Sequence, residues 1–295
     1  MKKKLLISFS GGETSAYMTM WLWYNKQDEY DMKVVFANTG EENEETLEFI
    51  DKFSKHFNIP VIWIEAEVHH NKRKSSTAKI VSFETASRNG EPFEEVIKKY
   101  MIPNMKNMIC TRELKLRPIQ NYCRQIGWGR GKYYTAIGIR VDEIDRVSDE
   151  KDKENLIYPL VQFIPKTKPD INTYWNSMPF RLNLKGYQGN CKTCWKKSWR
   201  KLGTIAVESP EQFRFFKEME DKYSFFTSKG RAHNPTMIPP YYFFRSNNNV
   251  DYIFNSVITD PKFQLATDDS IVYSKLSNGD DLDITNGCEE SCEVY

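Results

Sequence analysis

The stretch LLISFSGGETSAYMTMWLWY, Leu5 to Tyr24, decides how this chain folds. Leu5, Leu6, Ile7 and Phe9 form a short apolar run of the length expected for a buried strand. Ser10-Gly11-Gly12 interrupts it, and glycine supplies backbone angles that other residues resist. Ala16 to Tyr24 then reads as a helix, with Thr14 or Ser15 as its cap. A strand, a glycine turn and a helix N-terminus together make an anion site, because backbone N–H groups and the helix dipole converge on one point. The chain therefore opens with a candidate phosphate cradle.

Working outward, strand and helix patterns alternate. Met32 to Gly40 (MKVVFANTG) is a second strand ending in a polar turn. Leu47, Ile50, Phe53 and Phe57 follow at helical spacing, behind a first turn rich in acids. IPVIWIEAEV is a third strand, GKYYTAIGIRVDE contains a fourth, and ENLIYPL is a candidate fifth. Strands separated by helices predict a parallel sheet with helices on both faces. Ligands in such folds bind at the carboxyl ends of the strands. Ser10 to Ser15, Thr39-Gly40 and Gly138 to Arg140 all fall at those ends.

From about residue 71 to 107 the pattern weakens, and HHNKRKSSTAK reads as a basic loop or flap. Past Pro169 the character changes. Asp170 is a candidate cap for a helix through Trp175, a Cys-rich stretch follows, and FFTSKGRAHNPTMIPPYYFFRSNNN reads as irregular structure or short strands. The expected organisation is a nucleotide-binding α/β domain over residues 1–168 and a smaller Cys-containing part over 169–295.

The composition is that of a globular protein. Lys plus Arg is 42 and Asp plus Glu 40, so a net charge of +2 neither requires nor excludes a nucleic-acid partner. No run approaches the roughly 20 apolar residues of a membrane span. Three lysines before Leu5 imitate a signal peptide, but Ser-Gly-Gly cuts the apolar run short, so a cytoplasmic protein with no membrane partner is expected.

Cysteines are the second signal. Cys191-x-x-Cys194 and Cys288-x-x-x-Cys292 are two close pairs, the usual layout of a four-thiolate site for Zn²⁺ or a [4Fe-4S] cluster. Unligated thiols or a redox pair are the competing reading. Cys123 lies 13 positions after Cys110 and would face away from it on a helix, so it is assigned to the core.

Three segments in order, SFSGGETS, NTGEENEET and GIRVDEIDR, resemble the PP-loop ATP pyrophosphatase superfamily, and most closely its phosphoadenosine-phosphosulfate (PAPS) reductase-like branch. The resemblance covers roughly residues 4–200. It implies a Rossmann-like sheet and an adenine nucleotide, ATP or a related adenylyl compound, held by Ser8, Ser10, Gly11, Gly12, Thr14 and Ser15. Thr39, Gly40 and the Glu45-Thr46 pair would lie beside the nucleotide, with Gly138 at the next strand end. Arg140, Arg146 and Lys115 are the candidate cations for phosphate or sulfate. Asp142 and Glu143 would orient Arg140 or coordinate Mg²⁺. Many relatives carry Asp where this chain has Thr14, which weakens the case for Mg²⁺ there.

The segment ICTRELKLRPI resembles the one that supplies paired cluster ligands in iron–sulfur adenylylsulfate reductases, which makes Cys110 a rival ligand alongside Cys191 and Cys194. The tail lacks the Glu-Cys-Gly motif of sulfonucleotide reductases, and its flanking acids disfavour a nucleophilic thiolate. The resulting expectation is an enzyme acting at the α-phosphate of an adenylyl nucleotide with pyrophosphate release. Sulfur transfer from a donor protein to a nucleic acid fits the basic flap and the segment from Tyr241 to Arg245. A phosphosulfate reductase and a non-catalytic nucleotide sensor are the alternatives.

Overall fold

The computed structural model describes residues 2–71, 73–189, 191–228 and 238–270. Strand β1 (Lys3–Ser8) runs into helix α1 (Glu13–Asn25), β2 (Tyr30–Asn38) into α2 (Glu44–Phe57), and β3 (Val61–Glu67) into β4 (Thr77–Val81). After α3 (Glu91–Tyr100), a π-helical turn (Thr111–Leu116) leads into α4 (Arg117–Gln125) and β5 (Tyr134–Ala136). A 3-10 segment (Val141–Arg146) and the short α5 (Lys151–Glu154) precede β6 (Leu156–Ile157) and α6 (Pro159–Gln162). Helices α7 (Lys168–Asn176), α8 (Trp199–Glu208), α9 (Arg214–Tyr223) and α10 (Val250–Thr259) complete the described chain.

The sheet order is β4-β3-β2-β1-β5-β6, parallel throughout except for the β3–β4 pair. This is a Rossmann-like α/β fold. Chain order reverses at β1, so the crevice above β1 and β5 is the switch point where such sheets take ligands.

Side-chain alternation along β1 explains the layers. Leu5 and Ile7 enter the core that α1, α2 and α7 cover, with Phe36, Phe53 and Trp175. Leu6 points the other way, into a core with Val35, Ile119 and Tyr122 beneath α4. Cys123 is fully buried in that second core, as its spacing from Cys110 indicated, and burial pushes its thiol up to about 11. A third core joins Phe93, Val96 and Ile97 of α3 to Trp195, Leu202, Phe216, Tyr241, Phe243 and Phe244.

Three local expectations are corrected. The basic stretch HHNKRKSSTAK is not loop throughout, and the weak pattern over residues 71–107 hides two regular elements. Thr77–Val81 is an antiparallel edge strand, and its Ile80 is exposed, which hides the alternation. Glu91–Tyr100 is an amphipathic helix entered through Gly90 at φ +74°. Helix α1 begins at Glu13 with Gly12 as N-cap and no side-chain cap bond, so neither Thr14 nor Ser15 caps it. Helix α7 is capped by Thr167, and Asp170 closes the capping box from N3.

Candidate active site

The cradle is shaped from within. The Ser15 hydroxyl donates to Gly12 O at 2.9 Å and lies 2.9 Å from Ser10 Oγ. The Ser10 amide donates to Ser15 Oγ at 3.3 Å. Gly11 sits at φ +86°, and a Cβ there would come within 2.7 Å of Thr46 Cγ2 and 2.9 Å of Ile50 Cδ1. Both the backbone angle and the space demand glycine. Ser8, Thr14 and Ser15 are buried beneath the turn.

Neighbouring strand ends close on this turn. At Gly138, after β5, a Cβ would stand 3.3 Å from Ser15 Cα, so glycine lets this strand end approach the start of α1. Arg140 is buried and donates from Nη1 to Thr14 Oγ1 at 3.0 Å and from Nε to Asp142 Oδ1 at 3.0 Å. Glu143 Oε2 lies 3.4 Å from Arg140 Nη1, and Glu143 Oε1 pairs with Arg146. Asp142 also accepts the Lys168 amide at 3.3 Å. Arg140, Asp142, Glu143 and Arg146 thus form one network that grips the cradle through Thr14.

A cleft opens over the turn. Its floor is Ser10, Gly11, Gly12 and Glu13, and its walls include Thr46, Lys168, Leu182, Lys185 and Gly186. Thr46 Oγ1 is buried with no hydrogen-bond partner. The wall is fastened to the floor by Glu13, whose carboxylate takes a fork from Arg181 and the Leu182 amide at 3.1 Å. Burial raises the Glu13 carboxyl above its ordinary value, against the opposing pull of Arg181 and Lys168.

The turn after β2 faces a second, smaller pocket. Gly40 has φ +83° and its carbonyl accepts the Gly90 amide at 2.9 Å. Glu42 receives the Thr39 amide at 2.9 Å and the Thr39 hydroxyl at 2.9 and 3.0 Å. Lys115 Nζ stands 4.0 Å from Glu42 Oε1. Thr39 and Lys115 line this pocket together with Cys110, Cys191 and Cys194. Lys115 therefore belongs with the cysteines and is not among the residues lining the cradle cleft.

For the metal, the structure brings the rival ligand Cys110 to the pocket of the CxxC pair, while Cys288 and Cys292 lie outside the described residues. Among the described residues, no group of three or more His, Cys, Asp or Glu is disposed to hold a metal ion. Asp142 and Glu143 are engaged by arginines, so no step is assigned to Mg²⁺.

Sequence reasoning did not find Glu13, Arg181 and Lys168 as parts of this site. Glu13 and Arg181 are 168 positions apart, and no local pattern relates them.

The sequence model of the phosphoadenosine phosphosulfate reductase domain matches residues 4–144. A protein of Escherichia phage lambda, described as an uncharacterized nin region protein, is 30% identical over 294 residues, spanning 98% of this chain and 94% of its own length. The chain belongs to the PAPS reductase-like family. Two uncharacterized proteins of Methanocaldococcus jannaschii also match this PAPS reductase-like chain. One is 28% identical over 125 residues, 42% of this chain and 21% of its own length. The other is 27% identical over 133 residues, 45% of this chain and 25% of its own length. The match over residues 4–144 spans the cradle, the Thr39 turn and Arg140, so the chain is a PP-loop family member of nucleotide-binding type. Among the described residues no helix is long and apolar enough to cross a membrane.

Proposed function

We propose that this chain binds ATP or a related adenylyl nucleotide in the cleft over Gly11 and Gly12 and acts at its α-phosphate, releasing pyrophosphate. The observation that carries this reading is the Thr46 hydroxyl, buried and without a partner, in the wall of a cleft whose floor is an uncapped helix start. A buried orphan hydroxyl costs about 1–3 kcal/mol, and a phosphate oxygen in the cleft would satisfy it.

The chain's own contribution is positional. Ser10 and Ser15 hold the turn, and the start of α1 directs its dipole at the anion. Arg140 holds Thr14 in place and adds a positive charge behind the loop. Lys168 adds a second from the wall. Such preorganised charge favours a transition state in which negative charge builds on the phosphoryl oxygens. An acceptor activated in this way would be open to displacement by sulfur, and the basic side chains Arg73, Lys74 and Lys79 fit a nucleic-acid acceptor.

The test is incubation with ATP, with and without candidate polynucleotides, followed by pyrophosphate assay. Pyrophosphate release that Gly12→Ala/Ser15→Ala abolishes supports the reading. Sulfite release from phosphoadenylyl sulfate would assign a reductase instead. Nucleotide binding with neither product would assign a sensor.

A further inference from the structure

The small pocket beside the Thr39 turn has chemistry that the nucleotide reading does not use. Cys191 and Cys194 are buried against each other, and the Cys194 amide donates to Cys191 O at 3.3 Å, so a tight turn holds the two thiols together. The turn is strapped to the end of β2. Cys191 bridges Glu42 as an antiparallel pair, and the Lys192 amide donates to Glu41 O at 2.8 Å.

Thr39 Oγ1 lies 3.5 Å from Cys191 Sγ. Its one proton is directed at the Glu42 carboxylate, so the Cys191 S–H is the donor in that contact. Trp195 lines the same pocket, and its buried indole N–H has no hydrogen-bond partner.

We propose that Cys191 and Cys194 are a redox-active dithiol, oxidised to a disulfide by hydrogen peroxide, and that oxidation loosens the Thr39–Glu42 turn. One thiolate of the pair attacks a peroxide oxygen. The O–O bond breaks, hydroxide leaves and takes a proton as water, and a sulfenic acid remains. The second thiolate attacks that sulfur, the S–O bond breaks, and another water leaves. The dithiol is oxidised by two electrons, and the peroxide is reduced to two waters. The disulfide has no S–H to give, so Thr39 loses its donor and the strap shifts. Because the turn lies beside the cradle, the oxidised chain would hold nucleotide less well. That last consequence rests on the proposed function, but the disulfide and the loosened turn do not.

The experiment treats the full chain with hydrogen peroxide, maps peptides without reduction, and follows amide exchange across residues 38–47. The expected result is a Cys191–Cys194 cross-link, reversed by dithiothreitol and retained in Cys110→Ser, with faster exchange at 39–42 in the oxidised form. Cys191→Ser and Cys194→Ser should each abolish the peroxide-dependent change in exchange. The proposal is overturned by a cross-link through Cys110, by no cross-link, or by exchange that ignores oxidation. A stoichiometric metal that protects both thiols would overturn it as well. No readout requires nucleotide, so failure of the nucleotide reading is a separate result.

Discussion

The Arg181 guanidinium forks onto the Glu13 carboxylate, Nε to Oε1 at 3.0 Å and Nη2 to Oε2 at 3.0 Å, and so fastens the cleft wall to the first residue of α1. Trp175 Nε1 donates to the Glu13 carbonyl at 2.9 Å from the same side. Removing one partner of a buried pair leaves the other charge stranded. Arg181→Ala should cost about 3 kcal/mol in urea unfolding. Adding Glu13→Gln should return much of that loss, because the stranded charge is gone. Equal stability of the single and double variants would refute the fork as the fastener.

Thr46 separates binding from stability. Thr46→Val keeps the shape and removes the unpaired hydroxyl. Stability should stay level or rise by about 1 kcal/mol, while nucleotide binding weakens by about 0.5–1.5 kcal/mol. Calorimetry and thermal unfolding on the same preparation check both halves.

The two cradle glycines should behave differently. Gly12 has no neighbour nearer its would-be Cβ than Ser10 Oγ at 3.7 Å, so Gly12→Ala should fold normally. Gly11→Ala meets both a positive φ and the Thr46 and Ile50 side chains. A destabilisation of about 1–3 kcal/mol is expected from strain and overpacking. Paired denaturant curves decide it.

Arg140 is a fork that a point charge cannot replace. Arg140→Lys would leave Thr14 and Asp142 without their planar partner, and it should impair turnover nearly as much as Arg140→Ala. Rescue of most activity by lysine would reduce the role of Arg140 to charge alone.

Glu41 sets a pH dependence. Burial, reinforced by Glu42 and Glu91 and opposed by Lys192, pushes its carboxyl up to about 8 from an ordinary 4.5. Between those values the folded state keeps a proton that the unfolded state has lost. Stability attributable to this group is therefore complete below about pH 4.5 and is lost as pH rises through about 8. Glu41→Gln imitates the protonated acid. It should raise stability at pH 8 by about 1–3 kcal/mol and leave it nearly unchanged near pH 5. Thermal unfolding across that range tests the sign.

Much of this was legible along the chain. The apolar run through Phe9, the glycine pair and the helical spacing from Leu47 to Phe57 specify strand, turn and helix, because backbone geometry and side-chain period are local properties. Three strand ends carrying Gly11, Gly40 and Gly138 marked the candidate site. Edge strand β4 escaped because one face of it meets solvent and no alternation is enforced. Packing decided the rest. Only the fold brings Arg181 to Glu13, aims Arg140 at Thr14, and sets Cys110 beside Cys191 and Cys194. Each depends on which helix covers which face of the sheet. That choice is made by the summed burial of many side chains, and no short window of sequence contains it.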